Sequence, residues 1–270
     1  MSERSEYAPG TPSWVDVAVP DLDAAADFYS AIFGWDVEEA GDPDQTGGYR
    51  MASLGGRYVA GIAPIQSEGQ PPSWGTYMST ENADGTAAKV REAGGTVLTE
   101  PFDVMEAGRM AVFADPEGAV FCVWQPNQHP GAQLVNETGA FGWNELNTRD
   151  PDAAKTFYGA VFAWRAQKFD IDGGPDYVTW HIGDEEASVG GMIDMRGSVP
   201  DEIPPHWMVY FNVDDTDATI DQVKERGGDV AFGPTEIPNV GRFAVLRDPQ
   251  GAHFAVIKTQ PPADAGGSAG

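Results

Sequence analysis

The chain has 270 residues, 41% hydrophobic and 11% aromatic, enough apolar matter for a sizeable core and too much for a disordered chain. A net charge of −26 repels phosphate backbones and anionic lipid, so neither nucleic acid nor membrane is an expected partner. The single cysteine, Cys122, excludes a disulfide framework and a cysteine-built metal cluster.

Residues 1–11 are polar, lack the apolar run of a secretion signal, and predict a disordered N-terminus. No segment approaches the ~18 apolar residues of a bilayer span, so a cytoplasmic location is the default expectation. Trp14-Val-Asp-Val-Ala-Val alternates with period two, a strand pattern. Asp21 follows where a helix N-cap belongs. Leu22, Ala25, Ala26, Tyr29 and Phe33 then keep helical spacing until Gly34 stops the helix. Gly48 to Leu54 and Arg57 to Ile62 predict two strands around a Gly55-Gly56 turn. A later hairpin runs from Arg109 to Ala114, through Asp115-Pro-Glu-Gly118, and back along Ala119 to Trp124. Gln125 to Leu134 is polar, contains Pro126, Pro130 and Gly131, and marks a boundary.

Past that boundary the pattern recurs. Trp14, Asp21, Phe28-Tyr29, Phe33, Trp35 and Gly61 find counterparts in Trp143, Asp150, Phe157-Tyr158, Phe162, Trp164 and Gly190. After an insertion near Asp194 to Val199, Trp74 matches Trp207, Gly108-Arg109 matches Gly241-Arg242, and Asp115-Pro-Glu-Gly118 matches Asp248-Pro-Gln-Gly251. A weaker repeat divides each half, because Trp14, Trp74, Trp143 and Trp207 each precede an acid by the same interval. The order β-α-β-β-β is therefore expected four times in an α+β chain. The expected boundaries are domain 1 over 12–126, a linker over 127–138, domain 2 over 139–258 and a disordered tail over 259–270.

The stretch Asp21-Leu-Asp-Ala-Ala-Ala-Asp-Phe28-Tyr29 with Phe33-Gly34-Trp35 and Asp115-Pro-Glu-Gly118, echoed in the second half, resembles the vicinal-oxygen-chelate superfamily. That superfamily embraces glyoxalase I, extradiol dioxygenases and bleomycin-binding proteins, and the two-domain, glyoxalase-like actinobacterial type is most similar. The resemblance implies tandem domains, each of two paired βαβββ modules forming a curled mixed sheet around a cavity. It also implies His or Gln early in the first strand of a module and Glu in the last strand as metal ligands. Here those places hold Trp14, Trp74, Trp143 and Trp207, and Cys122 and Ala255. No metal-ligand set and no cofactor are expected.

Alternation puts Trp14 with Asp16, and Trp143 with Glu145, on one strand face, an indole beside a carboxylate in each domain. Indole offers a stacking surface, and a carboxylate in an apolar pocket can serve as acid or base. Asp16, Glu145 and His253 are thus the candidate catalytic residues. The four Trp, with Arg109, Arg242 and Cys122, are the candidate ligand-binding residues. Arg109 and Arg242 could grip an anion or cap a loop; Cys122 reads as an inert buried thiol. His129, His181 and His206 read as surface or core-edge residues, and Tyr77 and Tyr210 as packing under the helices. The preferred expectation is a metal-independent binder of a small apolar or aromatic metabolite, monomer or homodimer, with a role in sequestration, resistance or secondary metabolism. The rivals are a glyoxalase-like lyase or isomerase using a pocket carboxylate, and an interaction module whose cavities are filled by its own side chains. An empty pocket of ~300 Å³ or more separates the first from the last.

Overall fold

The computed structural model describes residues 2–171 and 176–260. The first module is β1 (Pro12–Val19), α1 (Leu22–Phe33), β2 (Asp36–Glu39), a single helical turn α2 (Pro43–Thr46), β3 (Arg50–Leu54) and β4 (Arg57–Pro64). The second is β5 (Ser73–Ser79), α3 (Ala83–Glu92), β6 (Thr96–Val104), β7 (Gly108–Ala114) and β8 (Val120–Pro126). The third is β9 (Phe141–Thr148), α4 (Pro151–Phe162), β10 (Trp164–Phe169), β11 (Tyr177–Ile182) and β12 (Ser188–Asp194). The fourth is β13 (His206–Asn212), α5 (Thr216–Glu225), β14 (Asp229–Ile237), β15 (Gly241–Arg247) and β16 (His253–Thr259). The fourfold β-α-β-β-β order is present, interrupted only by α2.

Each half forms one eight-stranded mixed sheet, β2-β3-β4-β1-β5-β8-β7-β6 and β10-β11-β12-β9-β13-β16-β15-β14. The modules of a half join through the antiparallel pairs β1–β5 and β9–β13 at the sheet centres. Asp21 and Asp150 cap their helices as expected, accepting from the backbone N–H of Ala24 and Ala153. Gly34 ends α1 in the left-handed region at φ 74°, whereas Ala163 takes that conformation at the end of α4.

The helices cover one face of each sheet, and the halves interlock through that face. Phe33 of α1 packs on Phe211 of the other half, with ring centroids 4.7 Å apart. Phe162 of α4 packs reciprocally on Phe121 at 5.9 Å. Each half therefore completes the core of the other, and both large apolar clusters draw on residues from the two halves. Burial of this kind contributes ~25 cal/mol per Å² of apolar surface.

The N-terminal segment is not the disordered arm its polarity suggests. Glu3 bridges Leu134, Gly10 N–H donates to the Ser79 carbonyl at 2.8 Å, and Trp164 Nε1 donates to the Gly10 carbonyl at 3.0 Å. Backbone pairing with the linker, invisible in side-chain pattern, fixes it. The expected disordered tail falls outside the described residues from position 261 onward. No helix among the described residues is long and apolar enough to cross a membrane.

Candidate functional site

The face of each sheet opposite the helices, here the inner face, carries the polar chemistry. On β1, Val15, Val17 and Val19 point to the helix side and are fully buried, leaving Trp14 and Asp16 inward. Trp14 Nε1 donates to the Tyr49 hydroxyl at 2.8 Å. Tyr49 and Tyr77 hydroxyls both donate to Asp16 Oδ2, at 3.1 and 2.8 Å. Burial pushes the Asp16 carboxyl up to about 6, and the two phenol donors hold it partly down. Gly61, opposite Asp16 on β4, makes room: a Cβ there would lie 1.9 Å from the Tyr49 oxygen. Cys122 stands beside Tyr77 on β8, its thiol kept protonated by burial.

Domain 2 repeats this arrangement with Trp143, Tyr177, Glu145 and Tyr210. Trp143 Nε1 donates to the Tyr177 hydroxyl at 2.7 Å, and the Tyr210 hydroxyl donates to Glu145 Oε1 at 2.9 Å. Burial raises the Glu145 pKa against the opposing effect of the Tyr177 and Tyr210 hydroxyls. The glycine beneath Tyr177 is Gly191, so it and not Gly190 is the structural counterpart of Gly61.

Two faces are thus exchanged relative to expectation. Tyr77 and Tyr210 turn inward to the carboxylates. Trp74 and Trp207 turn to the helix side, where Trp74 Nε1 donates to the Tyr29 hydroxyl at 3.0 Å and Trp207 Nε1 to the Tyr158 hydroxyl at 2.9 Å. The shared interval before an acid made all four Trp look equivalent, but Trp14 pairs with Tyr77 and not with Trp74. Tyr29 and Tyr158 pass the bond on, to Asp248 at 2.8 Å and Asp115 at 3.2 Å in the opposite half. The Phe-Tyr and Asp-Pro-x-Gly motifs therefore build the interface between the halves, away from the inner faces. Arg109 and Arg242 are also on the helix side, in ion pairs with Asp84 and Asp103, and with Asp217. His253 lies at the start of β16, exposed, on the same inward face as Ala255. Tyr49 and Tyr177 are the residues that sequence reasoning missed. They sit 128 positions apart in the variable stretch after the helix, off the repeat's shift of 129.

The two inner faces differ in what covers them. In domain 1 the linker crosses the mouth. The His129 ring meets Trp14 edge-on at 4.6 Å, Trp124 at 5.8 Å and Tyr58 at 6.2 Å. Trp124 Nε1 holds the His129 carbonyl at 2.8 Å. Burial lowers the His129 pKa to about 4, so the ring is neutral. Trp14 is left 4% exposed. In domain 2 Trp143 is half-buried, and among the described residues no aromatic ring stacks on it. Around it stand Met208, Tyr210, Ala255 and Ile257, packed with Val240, Phe243 and Val245. Phe169 and Phe232, 43% and 56% exposed, extend the aromatic surface at opposite edges through Tyr177 and Phe243. Two surface grooves of about 400 Å³, one beside α1 and α5 and one at Asp103 and Arg109, lie off the inner faces.

A family model described as the Glyoxalase/Bleomycin resistance protein/Dioxygenase superfamily matches residues 11–123 and again 140–256. The chain belongs to that superfamily. CFP32 of Mycobacterium tuberculosis (strain CDC 1551 / Oshkosh), which carries a glyoxylase name, is 47% identical over 264 residues, covering 97% of this chain and 99% of its own. The anthracycline biosynthesis protein DnrV of Streptomyces peucetius is 39% identical over 280 residues, covering 98% and 99%. Among solved structures, the Mn(II)-bound glyoxalase from Novosphingobium aromaticivorans aligns with a TM-score of 0.62 at 17% identity over 98% of this chain and 85% of its own. The 2,3-dioxygenase LapB from Pseudomonas sp. KL28 aligns at 0.64, with 13% identity over 97% of both chains. These structures share the fold.

The superfamily implies a divalent metal, and the residues here do not fit one. Among the described residues no three His, Cys, Asp or Glu side chains converge. Domain 1 offers one carboxylate engaged by phenols beside a protonated thiol; domain 2 offers one such carboxylate, with Ala255 in the thiol's place and the imidazoles of His206 and His253 at the far end of the face, outside any three-ligand cluster. A catalytic cation needs three firm ligands and an open position.

Proposed function

We propose that this superfamily member binds a planar aromatic metabolite without a metal, on the inner face of domain 2, as a sequestering, resistance or accessory protein of secondary metabolism. One observation carries the reading. The two domains share a Trp-Tyr-carboxylate-Tyr arrangement, but its indole is covered by His129 in domain 1 and, among the described residues, carries no such ring in domain 2. Trp143 then offers a stacking surface, Met208, Ile257 and Phe243 an apolar wall, and Glu145 with its two phenols a polar centre. Full-length relatives named for anthracycline biosynthesis agree with an aromatic ligand. Domain 1, filled by its own residues, acts as scaffold. A cytoplasmic monomer suits a chain that already contains a paired set of domains.

The test is fluorescence titration with hydroxyanthraquinone and naphthalene probes, with and without EDTA. Saturable binding indifferent to EDTA is expected, weakened about tenfold or more by Trp143→Ala through loss of stacking area and little changed by Trp14→Phe. Binding abolished by EDTA, or unmoved by Trp143→Ala, would contradict the reading.

A second reading is favoured by the burial of Glu145. A carboxyl with a raised pKa beside a phenol can accept and return a proton, the requirement for a lyase or isomerase. Glu145→Gln would then abolish turnover, a loss far larger than any accompanying change in probe affinity. Unchanged turnover would remove this reading, and with it any catalytic part for Glu145; Asp16 lies under the covered indole of domain 1.

A further inference from the structure

The inner face of domain 2 is polar at the end away from Trp143. On β9 the inward residues run Trp143, Glu145, Asn147, and on β13 they run Tyr210, Met208, His206, with His206 paired to Asn147. Tyr210 pairs with Ala255, which sets His253 beside Met208 and one step diagonally from His206. At the corresponding places domain 1 has Ala18 for Asn147, Ser73 for His206 and Val120 for His253. One end of one duplicated face has therefore exchanged small or apolar side chains for two imidazoles and an amide.

His206 Nδ1 donates to the Pro204 carbonyl at 2.8 Å, because a carbonyl can only accept. Its Nε2 then carries a proton for an incoming acceptor only when the ring is charged. Partial desolvation lowers the pKa of both imidazoles; His253 adds to the depression of His206, and Arg247 to that of the otherwise exposed His253. The groups facing them are few. Arg247, opposite His253 on β15, is held by Asp229 of β14; Asp248 follows in the next turn; His206 faces Asn147 and Pro204. Arg247 is committed to its carboxylate, which leaves, among the described residues, His206 Nε2, the His253 ring and the Asn147 amide, held only by a 3.4 Å bond to the Glu145 carbonyl, as donors at this end. An anion placed between the two imidazoles would satisfy both and relieve their mutual repulsion.

Resting on the proposed binding site, we propose that His206, His253 and Asn147 form a subsite for a carboxylate carried by the aromatic ligand, so that the ligand's ring lies over Trp143 and its acid group at the histidine end.

The probes are 2-naphthoate and its neutral isostere 2-naphthamide, titrated by tryptophan fluorescence against the full chain. At pH about 5, low enough to charge imidazoles whose pKa is depressed, the acid is expected to bind about tenfold more tightly than the amide. The preference should fall to about twofold or less at pH about 8, as the imidazoles lose their protons. In the His206→Gln, His253→Gln double variant the ratio of acid to amide affinity should fall to about one at both pH values. The imidazole pKa values, followed by NMR, should rise when naphthoate binds and not when naphthamide binds. Equal affinities at the lower pH, or a preference that survives the double variant, would overturn the subsite while leaving the aromatic site standing. Failure of both probes to bind would overturn both.

Discussion

Asp16 is 7% exposed, with two phenol hydroxyls on one carboxylate oxygen and, among the described residues, no cation beside it. Burial without a counter-charge favours the protonated form, so the folded pKa of about 6 stands above the ordinary 3.8. The folded state therefore binds this proton more tightly than the unfolded chain does. Its stabilising effect is fully present below pH ~4 and is lost as pH rises through about 6, a loss of roughly 3 kcal/mol. Asn keeps a hydrogen-bonding oxygen but never ionises. Asp16→Asn should thus match the parent at pH about 4 and exceed it by ~2–3 kcal/mol at pH about 7.5 in urea denaturation. Glu145 drifts in the same direction, but it is present in both proteins and cancels in the difference. Parallel pH profiles for parent and variant would show that Asp16 ionises freely in the folded protein.

At the level of elements, the Asp-Pro-x-Gly turns do more than reverse a hairpin. Asp115 accepts from the backbone N–H of Glu117 and Ala119, which closes the turn. Glu117 Oε2 then accepts from the N–H groups of Arg149 and Asp150 at 3.1 and 2.9 Å, just before α4 of the other half. Gln250 does the equivalent for α1, exchanging two hydrogen bonds with the Asp21 backbone. Glu117→Ala should cost about 1–2 kcal/mol and speed amide exchange at Arg149, Asp150 and Ala153 before other sites. Unchanged exchange there would mean the clasp is ornamental.

The legibility of the sequence follows the same lines. The repeats, the helix caps and the Gly55-Gly56 hairpin were readable because local pattern determines them. The pairing of Trp14 and Asp16 on one face was readable because a strand alternates. Which face turns inward was not, since Trp74 and Tyr77 are both large and buried and only the helix positions decide between them. Tyr49 and Tyr177 reach the site from outside the regular repeat. His129 came from a linker read as a mere connection, and its place on Trp14 depends on a chain crossing that no local pattern encodes.

For the whole molecule, duplication has produced two faces of the same design and different cover. The first helices of the two halves interlock, so the proposed division of roles rests on what lies on each inner face. In domain 1 a tethered histidine occupies the indole. In domain 2 the matching indole, an apolar wall and a histidine-bearing end remain. The claim that domain 2 is the binding face is tested most directly by indole N–H correlation spectra of the nitrogen-labelled chain during titration with 2-naphthoate. The account predicts that the Trp143 resonance moves with saturation while those of Trp14, bonded to Tyr49, and Trp124, bonded to the His129 carbonyl, stay in place. Movement of Trp14 and Trp124 with Trp143 unmoved would contradict it.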